Sequence, residues 1–253
     1  GEYELSPSMT PIEILDKVAR GDVKAYWVTI PEGSTNADIA RIFHRMRLID
    51  ETTFLSFSRL DGLNLGKDYD VTRRNLEGYL FPDTYRVPKE ISERQLLRQM
   101  LRNFHQQVLV GLRKEIAGRT NGLDMDQTIV LASLVEREAR KPGERARIAG
   151  VLVNRLRANM RLECDATVQY ALGKTKARLL YKDLAVDSPY NTYKYPGLPP
   201  GPICNPGVEC IRAALHPEKN EYFFYVADGK TGGHLFTRSY EEHLATIRRL
   251  RGG

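Results

Sequence analysis

Two glutamates, Glu136 and Glu138, close the segment Ala132-Ser133-Leu134-Val135-Glu136-Arg137-Glu138, and carboxyl groups so placed can carry acid–base chemistry. The segment reads as a helix. Asp124 and Gln127 have the spacing of a capping box, Ile129 to Val135 is almost continuously apolar, and Lys141-Pro142-Gly143 stops the run. The expectation is a buried helix whose last turn opens onto a cleft. At helical spacing Glu138 falls on the stripe of Leu131, Leu134 and Val135, whereas Glu136 sits on another face, four residues before Arg140. Lost hydration on the apolar stripe disfavours a charged carboxylate, so Glu138 is the candidate general acid and Glu136 the candidate ion-pair partner of Arg140. Two solvated last-turn glutamates fit the same spacing.

Elements on both sides must hold this helix in place. Near the N-terminus Thr10 caps a helix, Pro11 takes its first position, Glu13 completes a capping box and Gly21 ends it. Tyr26 to Ile30 reads as a strand. Pro31-Glu32-Gly33-Ser34 turns into a helix carrying Ile39, Ala40, Ile42 and Phe43, and another begins after Asp50 with Phe54, Leu55 and Phe57. Residues from about 60 to 75 read as a loop. After the Phe81-Pro82-Asp83 turn, Leu96, Leu97, Met100, Leu101 and Phe104 mark a long scaffold helix. A helix from about Glu144 to Ala158 carries Ile148, Leu152 and Leu156. Residues 162 to 204 are polar, rich in Tyr and Pro and poor in periodicity, and so long an irregular stretch in a compact domain is usually functional. Asn205 and Pro206 start a further helix that Pro217 ends, Tyr222 to Val226 and His234 to Phe236 read as paired strands, and Ser239 with Glu242 caps the last helix.

Composition narrows the class. The 253 residues can bury a real core, and 42% hydrophobic with 28% charged residues excludes both disorder and a membrane bundle. No stretch approaches the roughly 20 apolar residues of a membrane span. The net charge of +6 is spread among acids over the whole chain, and the Arg145 with Arg147 and Arg248-Arg249 clusters lack interleaved aromatics, so a mixed solvated surface fits better than nucleic-acid binding. Cys164, Cys204 and Cys210 have no metal-ligand spacing and read as structural, although an oxidising compartment would permit one disulfide between an unspecified pair. The five histidines are dispersed. Neither a metal nor a cofactor is expected.

Several segments, taken together and in order, resemble the YceG-like family, the MltG-type endolytic murein transglycosylases. They are Leu134-Val135-Glu136-Arg137-Glu138, Val151-Leu152-Val153-Asn154-Arg155-Leu156, Met160 to Tyr170, Tyr190-Asn191-Thr192-Tyr193 and Gly197-Leu198-Pro199-Pro200-Gly201-Pro202-Ile203. Leu76-Glu77-Gly78-Tyr79-Leu80-Phe81-Pro82-Asp83-Thr84-Tyr85 upstream, and Tyr225-Val226-Ala227-Asp228-Gly229 with Gly233-His234 and Phe236 downstream, extend the likeness from about Tyr3 to the C-terminus. The resemblance implies that the second glutamate of the Val-Glu-x-Glu pattern, Glu138, is catalytic. The helical-face argument selects the same residue. The family does not depend on cysteine at the three positions.

The N-terminal strand and two helices resemble the βααβ plan of LysM carbohydrate-binding modules. The expected architecture is therefore α+β, with residues 1–90 a LysM-like glycan-positioning region and residues 91–253 a mixed α/β, largely helical catalytic domain. A degenerate module that only packs on its neighbour fits the pattern equally. Gly1-Glu2-Tyr3-Glu4-Leu5 reads as the middle of a structural unit, and the resemblance implies a single-pass anchor upstream in the cytoplasmic membrane, with this region on the periplasmic or extracytoplasmic side. Peptidoglycan strands are the implied partner, with cell-wall synthases nearby.

The implied chemistry is cleavage of the β-1,4 bond between N-acetylmuramic acid and N-acetylglucosamine, Glu138 acting first as acid and then as base while the muramoyl 6-hydroxyl closes a 1,6-anhydro ring. Tyr190-Asn191 resembles the Tyr-Asn pair that other lytic transglycosylases place opposite their glutamate, which implies that the two contact and orient substrate or orient the catalytic carboxyl; a turn closed by Asn is the alternative. Asp165 and Thr167 are candidate polar contacts to substrate, or the cap of a helix containing Val168 and Tyr170. Tyr193 and Tyr195 are candidates for stacking on sugars. Asn154-Arg155 reads as supporting scaffold. Two other readings stay open: a muramidase-type hydrolase with Asp165 or Glu163 as second carboxylate, and a non-catalytic peptidoglycan-binding module.

Overall fold

A computed structural model describes residues 2–59 and 75–251. The loop expected over about 60–75 lies almost wholly outside the described residues. The chain forms two compact units, residues 1–105 and 106–253.

In the first unit, α1 (Pro11–Ala19) starts at the expected Thr10 capping box and stops before Gly21, whose φ of 65° suits a residue without Cβ. Strand β1 (Ala25–Thr29) leads through a turn at Gly33 into α2 (Asn36–Arg45), capped by Thr35 and Asp38, and then α3 (Glu51–Arg59). Strand β2 (Thr84–Pro88) returns antiparallel to β1, with Trp27 opposite Arg86 and Val28 opposite Tyr85. Among the described residues the order is strand, helix, helix, strand, as expected. Tyr85 and Val87 face the core while Thr84 and Arg86 face out. Helix α4 (Glu93–Phe104) buries Leu96, Leu97, Met100, Leu101 and Phe104, the stripe read from spacing. It belongs to this compact unit, whose limit falls after His105. The Leu76–Tyr85 motif is scaffold here: Glu77 Oε1 accepts from the Asn36 amide at 3.0 Å, anchoring the first turn of α2, and Tyr85 Oη donates to the Phe81 carbonyl.

The second unit is built on α6 (Met125–Glu138), preceded by the short α5 (Arg113–Ala117). Asp124 and Gln127 form the expected capping box, and every residue from Thr128 to Val135 is buried. Helix α7 (Arg145–Arg157) packs on α6, as does α10 (Val208–Leu215). Gly150 lets the chain at Glu218 approach α7: a Cβ there would stand 2.2 Å from the Glu218 carbonyl oxygen. The stretch read as irregular contains α8 (Asp165–Ala171) and the single turn α9 (Tyr181–Leu184). Strands β3 (Phe224–Ala227) and β4 (His234–Thr237) form an antiparallel hairpin, and α11 (Tyr240–Arg251) closes the unit, with the Glu242 amide donating to Ser239 Oγ at 3.2 Å. Among the described residues, no helix is long and apolar enough to cross a membrane.

Candidate active site

Glu138 is the last residue of α6, because Ala139 turns extended at φ −71° and ψ 121°. Its carboxyl therefore leaves the buried body of the helix and enters a cavity of about 260 Å³ that Arg155, Asp165, Tyr193, Tyr225 and His243 also line. Burial pushes its pKa up to about 7; a hydrogen bond from Tyr225 and the Ala166 amide oppose the rise, and the charge of Asp165 adds to it. Tyr225 Oη donates to Glu138 Oε2 at 3.1 Å. A carboxyl poised near neutrality can give up a proton and take one back.

Glu136 does something else. With the helix finished at Glu138, Arg140 is no longer its helical neighbour, and the expected ion pair does not form. Glu136 Oε2 instead accepts from the Gly207 amide at 2.8 Å, at the N-terminal cap of α10, where a negative charge is favoured. Ser133, one turn earlier, accepts from the Ile203 amide at 3.1 Å. Both bonds tie the Pro-Gly-rich segment to α6.

Asp165 and Tyr193 meet at the cavity wall. Tyr193 Oη donates to Asp165 Oδ1 at 2.6 Å, and burial, with that bond, pushes the phenol pKa up, so Tyr193 stays a neutral donor. Asp165 is the first residue of α8, but the residue at its cap is Cys164, whose side chain caps nothing. Thr167 lies beneath the wall: fully buried, its Oγ1 donates to the Cys164 carbonyl at 2.7 Å and stands 2.9 Å from Thr192 Oγ1. Asn191 is also fully buried, its amide donating to the carbonyls of Leu184 and Val186 at 2.9 and 2.8 Å while its oxygen receives the Tyr193 amide at 3.0 Å. Asn191 thus closes the turn that presents Tyr193. Tyr190 packs on Tyr170 with ring centroids 4.9 Å apart. Neither Tyr190 nor Asn191 nor Thr167 lines the cavity.

Arg155 supports the opposite wall. Its Nε donates to the Phe223 carbonyl at 2.6 Å, its Nη1 to the carbonyls of Arg161 and Leu162 at 3.0 and 3.1 Å, and its guanidinium lies 4.9 Å from the Phe224 ring centroid. One side chain so fixes both the loop before α8 and the entry to β3. Asn154 acts beside it, donating to the Asn220 and Tyr222 carbonyls. Tyr195 pairs with Asp187 through its hydroxyl at 2.9 Å. Tyr225 and His243 were not singled out as site residues from sequence. Tyr225 lies in a strand-like run whose inward residues read as core, and His243 is one lone histidine on an amphipathic helix. Its Nδ1 is buried without a hydrogen-bond partner, and burial, with the Arg155 charge, lowers its pKa. The three cysteines are buried thiols and none is in a disulfide, and no group of three or more His, Cys, Asp or Glu among the described residues is arranged to hold a metal.

The comparisons with known proteins converge. The model of the YceG-like family matches residues 1–249. A Bacillus subtilis protein named endolytic murein transglycosylase is 37% identical over 96% of this chain and 70% of its own length. A Streptococcus pneumoniae protein of the same name is 29% identical over 96% of this chain, which spans about half (49%) of that relative. The crystal structure of a yceG-like protein from Listeria monocytogenes superposes with a TM-score of 0.80 at 35% identity, over 96% of this chain and 83% of the other. A match along nearly the whole chain, with the fold shared, places this protein in the YceG-like family.

Proposed function

We propose that this chain is an endolytic murein transglycosylase with Glu138 as its acid and base. The observation that carries the reading is a carboxyl with a pKa near 7 at the end of a buried helix, inside a polar cavity, in a chain whose relatives bear that activity in their names. Protonated Glu138 gives its proton to the glycosidic oxygen as the C1–O bond breaks, releasing the N-acetylglucosamine 4-hydroxyl. The carboxylate then takes the proton of the muramoyl 6-hydroxyl as that oxygen bonds to C1. No water is consumed, the product end is 1,6-anhydro, and Glu138 is protonated again.

Tyr225 holds the carboxyl that changes charge, while Asp165 and Tyr193 supply polar contacts along the wall. Positive charge developing at the sugar ring is favoured by the Asp165 carboxylate. The LysM-like first unit positions the strand, and the substrate places the active region outside the cytoplasmic membrane, where nascent strands leave their synthases. One observation favours a second reading: Asp165 and Glu163 both line the cavity of Glu138, so a second carboxylate is available to a muramidase. Mass spectrometry of murein after incubation with the chain separates the two. Anhydro ends support the transglycosylase; reducing muramoyl ends support the hydrolase.

A further inference from the structure

The first unit carries a polar groove that the proposed chemistry does not use. On α4, Gln95, Arg98, Gln99 and Arg102 recur at the spacing of one helical face, opposite the buried stripe of Leu96, Leu97, Met100 and Leu101. They form one wall of a groove of about 580 Å³ with an apolar floor that includes Val23, Pro88 and Ile91, and Glu90 is the one acid lining it. No acid among the described residues engages either guanidinium. The groove adjoins the edge of β2, where the Gln99 amide reaches the Arg86 carbonyl at 3.5 Å. Arg86 stands opposite Trp27 across the two strands, on the outward face of the sheet. Trp27 is the only tryptophan of the chain and is 67% exposed. A sugar ring offers the C–H surface that stacks on an exposed aromatic face of this kind.

From this juxtaposition we infer that the β2–α4 face of the first unit is a binding site for glycan that bears carboxylates, Trp27 stacking on a sugar and Arg98 with Arg102 taking the acid groups of the peptide stems. The inference rests on murein being the substrate. It adds a site separate from the Glu138 cavity and makes peptide stems, as well as sugars, a recognised part of the strand. Neutral N-acetylglucosamine oligomers would engage the tryptophan alone.

Trp27 reports its own occupancy. The full chain carrying Glu138→Gln, which prevents turnover, is titrated with soluble uncrosslinked murein strands that retain their stems, and tryptophan emission is followed. The expected result is a saturable change in emission that weakens as salt is raised. Arg98→Gln with Arg102→Gln, both exposed and both replaced by good helix formers, should raise the half-saturation point about tenfold, equivalent to about 1.4 kcal/mol and to two modest exposed ion pairs. Neutral oligomers should show the weak affinity of the double variant. Unchanged emission, or a double variant that titrates like its parent, overturns the site. Cleavage of the same strands by the chain with Glu138 intact is read separately, so an active enzyme with a silent Trp27 removes this inference and leaves the activity standing.

Discussion

Replacing Tyr225 by Phe removes one hydroxyl and leaves the ring against His234 and Phe236. That hydroxyl donates to Glu138 Oε2 at 3.1 Å and favours the charged carboxylate, so its loss must raise the pKa of Glu138. A hydrogen bond to a charged group contributes about 1.5–3 kcal/mol, and 3.1 Å is long for such a bond, so the lower end applies. At 1.36 kcal/mol per pKa unit, the rise is about one unit. Glu138 must be protonated to act as the acid, so kcat/KM falls as pH rises through its pKa in the free enzyme. In the parent that limb should centre near 7, and in Tyr225→Phe near about 8. The assay is the initial rate of strand cleavage at low substrate across that interval, with circular dichroism at each pH. A limb that stays put, or moves towards acid, would refute the role given to the Tyr225 hydroxyl.

The other predictions use the same geometry. Asp165→Asn removes a negative charge that raises the Glu138 pKa, so its alkaline limb should move to lower pH, opposite to Tyr225→Phe. Because the folded pKa of Glu138 lies above its ordinary 4.5, the contribution of this one carboxyl to stability is fully present below about 4.5 and is lost as pH rises through about 7. Glu138→Gln removes that penalty, so chemical denaturation should find it more stable than the parent at alkaline pH, by up to roughly 3 kcal/mol, and little changed near pH 4.5. Glu136→Ala leaves the Gly207 amide without its acceptor and should cost about 1–2 kcal/mol in denaturation while each folded molecule keeps its pKa-dependent activity. Gly150→Ala drives a methyl group into the Glu218 carbonyl and should lower the melting temperature, with a ΔΔG of about 2 kcal/mol or more.

Periodicity and capping made the helices legible. The Thr10 and Asp124 boxes, the α4 stripe and the apolar body of α6 are local features, and each lies where spacing put it. Strand β2 escaped direct reading because five residues carry little period, and its partner β1 lies more than fifty residues away in the chain. The end of α6 shows why a single residue matters. Spacing placed Glu138 on the apolar stripe, but the pairing of Glu136 with Arg140 assumed another turn of helix, and the extended Ala139 removes it. Asn191 was legible as both a substrate contact and a turn residue; its three short bonds to backbone are the turn. Tyr225 gave no local signal as a partner of Glu138, since the pair is 87 residues apart and only the tertiary fold brings the two side chains together. Asp165 and Tyr193, 28 residues apart, stood in separate motifs that the resemblance joined and the Thr167–Thr192 contact holds together.

The central claim is that one carboxyl, Glu138, gives and then recovers the proton. It is tested most directly by counting 1,6-anhydromuramoyl ends released from the same murein by the parent chain, Glu138→Gln and Glu136→Gln, each confirmed as folded. Gln keeps the shape of Glu138 and removes its transferable proton, so anhydro ends should fall by at least about 10²- to 10⁴-fold, whereas Glu136→Gln, whose amide oxygen still accepts from Gly207, should retain most of the rate. A folded Glu138→Gln chain that releases anhydro ends at near the parental rate, beside an inactive Glu136→Gln, would contradict it.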